Sequence, residues 1–134
     1  MKKHLDVVAA LILQDRKMLL SQRKADDAYP LVWEFPGGCV EAGESELEAI
    51  EREIDEELGL KVKAGSVVGV FEDEDASLHI SVKLLECVIT GGKPFARDCQ
   101  AWGFFDASSA SALDLGPVDR KIFIELKNRH YFNR

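Results

Sequence analysis

Cysteine is scarce in this chain of 134 residues: Cys39, Cys87 and Cys99 cannot all pair, and no two of them form a C-x-x-C unit. A disulfide framework and a zinc ribbon are therefore excluded, and a reducing, cytoplasmic compartment is expected. Proline and glycine number only four and ten, which argues against disorder and flexible linkers. No apolar run approaches the roughly 20 residues that cross a bilayer. The run Val7 to Leu13 follows two lysines, as a secretion signal would. It is short, however, with Asp6 before it and Gln14-Asp15-Arg16-Lys17 where a cleavage site should stand. A buried strand is the better reading, and no membrane partner is expected. A basic excess is also lacking, since the net charge is −7, so no nucleic acid polymer is expected as a partner. A calcium loop of the D-x-D-x-D-G form is absent as well.

What remains has the size and composition of one globular domain, expected over residues 1–134, as a monomer or homodimer. Val7 to Leu13 and Met18 to Gln22 read as strands joined by a polar turn, and Ser21 to Tyr29 as a loop. Trp33 to Phe35 reads as a short strand ended by Pro36-Gly37-Gly38. After Gly43 the period changes. Leu47, Ile50, Ile54 and Leu58 form one helical stripe, with Ser45 and Glu48 as a capping box and Gly59 as the stop. Val67 to Phe71 and Leu78 to Ile89 read as strands around the acidic turn Glu72 to Asp75, Ala101 to Phe105 as a last strand, and Val118 to Arg129 as a closing amphipathic helix. Strands, helix, strands, helix predict an α/β fold, a mixed sheet covered by helices.

The charge is uneven. Between Glu41 and Glu57 stand nine acids and one base, Arg52, while the rest of the chain carries 15 acids and 16 bases. On a helix at about 100° per residue, Glu53, Glu56 and Glu57 share a flank beside the apolar stripe. Carboxylates three and four residues apart repel, at roughly 4 kcal/mol for two charges about 4 Å apart at an effective dielectric near 20. A cation is the simplest compensation, and carboxylates without histidine or cysteine favour a hard ion, Mg²⁺ or alternatively Mn²⁺, over zinc. Mg²⁺ bound by few carboxylates points to a phosphate ester or anhydride as substrate. The competing reading is a solvated acidic face, which is accepted for Glu46, Glu48, Glu51 and Asp55; for the other three, composition and period leave both readings open.

The segment Gly38-x5-Glu44-x7-Arg52-Glu53-Ile54-x-Glu56-Glu57-x-Gly59-Leu60 decides between them. Over residues 38–60 it resembles the Nudix hydrolase signature at every fixed position. The resemblance implies an α/β/α sandwich, with this box as a loop-helix-loop. It also implies Glu53, Glu56 and Glu57 as metal ligands, joined by a main-chain carbonyl of Gly37 or Gly38, with Arg52 orienting them and Glu44 as ion-pair partner or water contact. A surface pair of Glu48 with Arg52 is the bland competitor.

Outside the box, Trp33-Glu34-Phe35-Pro36-Gly37-Gly38 and Ser21-Gln22-Arg23 resemble the MutT-like branch, which releases pyrophosphate from nucleoside triphosphates. That resemblance implies substrate contacts from Arg23, Glu34, Phe35 as an apolar wall, and Asp119. It also implies an added acid near the metal, here Asp98 where glutamate is usual. Cys39 stands where a lysine is common. The expected reaction is attack of water on a phosphorus of a nucleoside triphosphate, the β-phosphorus by family precedent, with Glu53 or Asp98 as base. An oxidised dGTP or a cytidine triphosphate would be the substrate. The alternatives are a Nudix hydrolase of ADP-ribose or dinucleoside polyphosphates, and a catalytically silent nucleotide-binding module.

Overall fold

A computed structural model describes residues 2–133, so Met1 and Arg134, the ends of the expected domain, lie outside the described residues. The first strand, β1 (Lys3–Leu11), is apolar along its whole inner half because both of its faces are covered. Val8, Ala10 and Ile12 face one core, while Ala9 and Leu11 face the other, as strand alternation requires. β2 (Leu13–Gln14) and β3 (Lys17–Gln22) form the expected opening hairpin. Beyond a loop lie β4 (Trp33–Glu34) and β5 (Gly37–Cys39). Pro36 breaks the chain between them, but Gly37 and Gly38, read from sequence only as a stop, re-enter a sheet by pairing with Ala9 and Val8.

Helix α1 (Glu46–Leu58) is capped as its sequence predicts: Ser45 accepts from the Glu48 amide, the Glu48 carboxylate accepts from the Ser45 amide, and Gly59 closes it in the left-handed region. β6 (Lys61–Glu74) and β7 (Leu78–Gly91) make a long antiparallel ribbon. β6 is thus far longer than the expected Val67 to Phe71, and the acids Glu72 to Glu74 belong to the strand rather than to a turn. The turn is Asp75 to Ser77, where the Asp75 carboxylate accepts from the amides of Ser77 and Leu78 at 2.8 Å each. β8 (Ala101–Phe105) pairs with β3. A short helix α2 (Ala107–Ser111) capped by Asp106 follows, then α3 (Pro117–Asn128).

One sheet has the order β5-β1-β7-β6 and is mixed, because β1 and β7 run parallel while the other pairs are antiparallel. A second, antiparallel sheet joins β2, β3, β4 and β8. Helix α1 covers one face through Ile50, Ile54 and Leu58, and α3 covers the other through Ile122, Phe123 and Leu126. Leu47, expected in the buried stripe, is 45% exposed; Ala49 is buried instead. The buried sector of α1 is centred between Ile50 and Glu57, which leaves Leu47 at its margin in the first turn. At the same margin Leu58 is covered by the chain returning through Leu60 into β6. Among the described residues no helix is long and apolar enough to cross a membrane.

Candidate active site

The rotation of α1 that exposes Leu47 carries Glu53 and Glu57 inward. Arg52, on the outer side of them, gathers the surrounding acids. Its Nε and Nη2 donate to the two carboxylate oxygens of Glu44 at 2.6 and 3.0 Å, and its Nη1 donates to Glu53 at 3.0 Å and Glu56 at 3.2 Å. Nη2 also reaches the Cys39 carbonyl at 3.2 Å, tying the helix to β5. The fork of Arg suits this bidentate grip. Held by Arg52 and by the Glu41 amide, the Glu44 carboxyl falls to about 2. Glu48 is occupied at the helix cap, where the Ser45 amide donates to it, rather than forming a surface pair with Arg52.

Glu57 is treated differently. Its Oε2 is sealed from solvent and has no partner. Burial, reinforced by the charges of Glu34, Glu53 and Asp98, holds its carboxyl well above the usual range, with the Gly37 amide and the Arg23 charge pulling the other way. Glu53 is also raised by burial, with Arg52 pulling the other way. The Glu53 carboxylate fills the space that a side chain at position 38 would take: a Cβ on Gly38 would stand 2.4 Å from its carboxyl carbon. Glu56 is exposed and turned onto Arg52. Among the described residues no three acidic, histidine or cysteine side chains are gathered closely enough to ligate one ion. Like charges one turn apart repel, and the Arg52 guanidinium bridges the Glu53 and Glu56 carboxylates.

These residues nonetheless fit a hard divalent ion. The donors are all oxygen, one is buried and without a partner among the described residues, and three further acids, Glu34, Glu53 and Asp98, crowd Glu57. Glu57 forms part of a polar cavity with Arg23, Lys24, Gly37 and Asp98. Asp98, expected beside the metal, has its carboxylate on Lys24 Nζ at 2.8 Å, while its amide donates to the Glu57 carbonyl.

A second, largely apolar cavity adjoins the first and shares Arg23 and Glu34 with it. Arg23 Nη1 meets Glu34 at 3.1 Å between the two. Asp119, in the first turn of α3, lines the second cavity and accepts from the Phe35 amide at 3.0 Å. Burial, with Glu34 nearby, pushes its carboxyl up to about 8. Phe35 itself is a correction. Its ring is buried in the core at 3% exposure and does not line the cavity. Glu34 faces the cavities, and alternation along an extended chain sends its neighbour the other way. The apolar wall comes instead from Val32, Leu78, Ile80 and Val118, with Tyr29 beside them. Sequence reading passed over Tyr29, whose place in a polar loop was its only local signal.

A mixed sheet between two helices, with an acidic helix entered through a Gly-Gly strand and organised by one arginine, defines a class of phosphoanhydride hydrolase. The NUDIX domain model matches residues 2–126, and the chain belongs to this family as a Nudix hydrolase. It is 35% identical to the CTP pyrophosphohydrolase of Escherichia coli over 117 residues, 87% of each chain. A putative 8-oxo-dGTP diphosphatase of Mycobacterium tuberculosis is 37% identical over 116 residues, 85% of this chain and 82% of that one. The solution structure of the E. coli ORF135 protein, 32% identical, superposes with a TM-score of 0.77 over 94% of this chain and 92% of that one.

Proposed function

We propose that this Nudix hydrolase converts a nucleoside triphosphate to the monophosphate and pyrophosphate in a Mg²⁺-dependent reaction, with Mn²⁺ as the alternative ion. The observation that carries this reading is the pair of adjoining cavities that share Arg23 and Glu34. One is polar and floored by a bare carboxylate, suited to a metal-bound phosphate chain; the other is apolar and ends at Asp119, suited to a base. Two relatives whose names carry nucleoside triphosphates, CTP and 8-oxo-dGTP, support it.

Glu53, Glu56 and Glu57, with the main chain of Gly37 or Gly38, would hold the ion. When bound, it supplies neutralisation of charge on the phosphoryl oxygens and a lowered pKa for a neighbouring water. Arg52, fixed by Glu44, sets the direction of Glu53 and Glu56. Glu53 or Asp98 would serve as the base; burial raises the Glu53 carboxyl while Arg52 opposes it. Asp98 is committed to Lys24 and would first have to leave it. At neutral pH the Asp119 carboxyl, near 8, is largely protonated and offers both a donor and an acceptor to a base edge.

A screen of normal and oxidised nucleoside triphosphates, scored for pyrophosphate release with and without Mg²⁺, tests the proposal. Turnover of ADP-ribose with no Mg²⁺-dependent pyrophosphate release from any triphosphate would replace it.

A further inference from the structure

We infer that Tyr29 is the aromatic residue that covers the base: its ring stands at the mouth of the apolar cavity and closes over the nucleobase as a stacking surface. The inference rests on the nucleotide reading above and adds a residue that determines base affinity. The cavity has aliphatic walls, Val32, Ile80 and Val118 among them, and polar groups from Arg23, Glu34 and Asp119 and from the end of β6 at Asp73 and Glu74. Apart from Tyr29, no aromatic side chain lines it. Tyr29 lines the cavity yet is 57% exposed, so it is not packed into the core.

The backbone supports this. Tyr29 and Leu31, on either side of Pro30, both lie in the left-handed region, at φ 53° and 63°. That region is unfavourable for residues with a side chain, and such conformations persist where their surroundings over-determine them. Here the segment is pinned at both ends: Arg23 Nε donates to the Ala28 carbonyl at 2.7 Å, Gln22 Nε2 to the Leu31 carbonyl at 3.1 Å, and the Arg23 amide to Val32 at 2.9 Å. The same Arg23 that holds the loop pairs with Glu34 inside the site, so loop position and cavity shape are set by one side chain. Planar rings stack on any base with useful strength, whereas Glu34 and Asp119 read only an edge.

The test is equilibrium titration of CMP and of 8-oxo-dGMP into wild type, Tyr29→Ala and Tyr29→Phe, with inorganic tripolyphosphate plus Mg²⁺ as a probe that has no base. Tyr29→Ala should raise the Kd of whichever monophosphate binds by about tenfold or more. Tyr29→Phe should stay within about twofold, and the tripolyphosphate affinity should not change. Equal monophosphate affinity in wild type and Tyr29→Ala, a parallel loss of tripolyphosphate binding, or failure of wild type to bind either monophosphate overturns the inference. Pyrophosphate release by the wild type is read separately and judges the catalytic proposal on its own.

Discussion

Replacing Glu57 with glutamine should give a protein that is more stable and inactive. The Glu57 carboxylate is buried, one of its oxygens has no partner, and Glu34, Glu53 and Asp98 surround it with like charge. A buried polar group without a partner costs about 1–3 kcal/mol, and a charged one more. Because the folded carboxyl is held above the ordinary value of 4.5, the folded chain keeps a proton that the unfolded chain releases. Stability therefore falls as pH rises from near 4.5 through the raised value, and the full penalty applies above it. Glutamine carries no charge and brings an amide donor to its acidic neighbours, so Glu57→Gln escapes that penalty. A gain of about 1–3 kcal/mol corresponds to roughly 3 °C or more in Tm for each kcal/mol in a chain of this size. Calorimetry in EDTA should show a gain that grows as pH rises above about 4.5. Initial rates with Mg²⁺ at pH 8 should fall by at least about a hundredfold, since the bare carboxylate is the proposed ligand. A Tm difference from wild type that does not grow with rising pH, or turnover within about tenfold of wild type, would refute the reasoning.

The two glycines of β5 should separate fold from function. A Cβ on Gly37 would stand 1.9 Å from the Val8 carbonyl, so Gly37→Ala breaks the pairing with β1 and lowers Tm. In Gly38→Ala the atoms nearest the new Cβ are those of the Glu53 carboxylate, a side-chain end that can shift, so the chain should fold while turnover drops on the order of a hundredfold, the effect of displacing a reacting group by about 1 Å. Asp119 gives a pH signature. KM for the preferred triphosphate should rise as pH passes about 8, where its carboxyl loses the proton it donates, and Asp119→Asn should flatten that rise between pH 6.5 and 9.5.

How much of this was legible in the sequence depends on whether the determinant is local. The limits of α1 could be read because each is set within four residues: Ser45 with Glu48 at one end, Gly59 at the other. The clamp of Arg52 on Glu44, eight residues away, followed from the box motif rather than from helix period. The β5 pairing was missed because Pro36 ends one strand, and nothing local says that the next two glycines begin another against β1. Phe35, expected as an apolar wall, is buried in the core instead, and Tyr29 was passed over, for a related reason. Both are plausible by type, but which way Phe35 faces is fixed by Glu34 turning toward the cavities, a tertiary fact.

The graded placement of the three box glutamates follows from one rotation of α1. At about 100° per residue, Glu56, Glu53 and Glu57 succeed one another around the helix from solvent to core. Glu56 is accordingly exposed and Glu53 half-buried, while the Glu57 oxygen is sealed. Arg52 lies beyond Glu56 on the outer side, so its guanidinium satisfies Glu44, Glu53 and Glu56 but not Glu57, which has only the more distant charge of Arg23 across the cavity. Had the arginine faced the same sector as Glu57, the buried charge would be neutralised and the site would have nothing to offer an ion. The helix thus spends its one base on orienting the outer carboxylates, and the inner residue, Glu57, lines the cavity shared with Arg23 and Asp98.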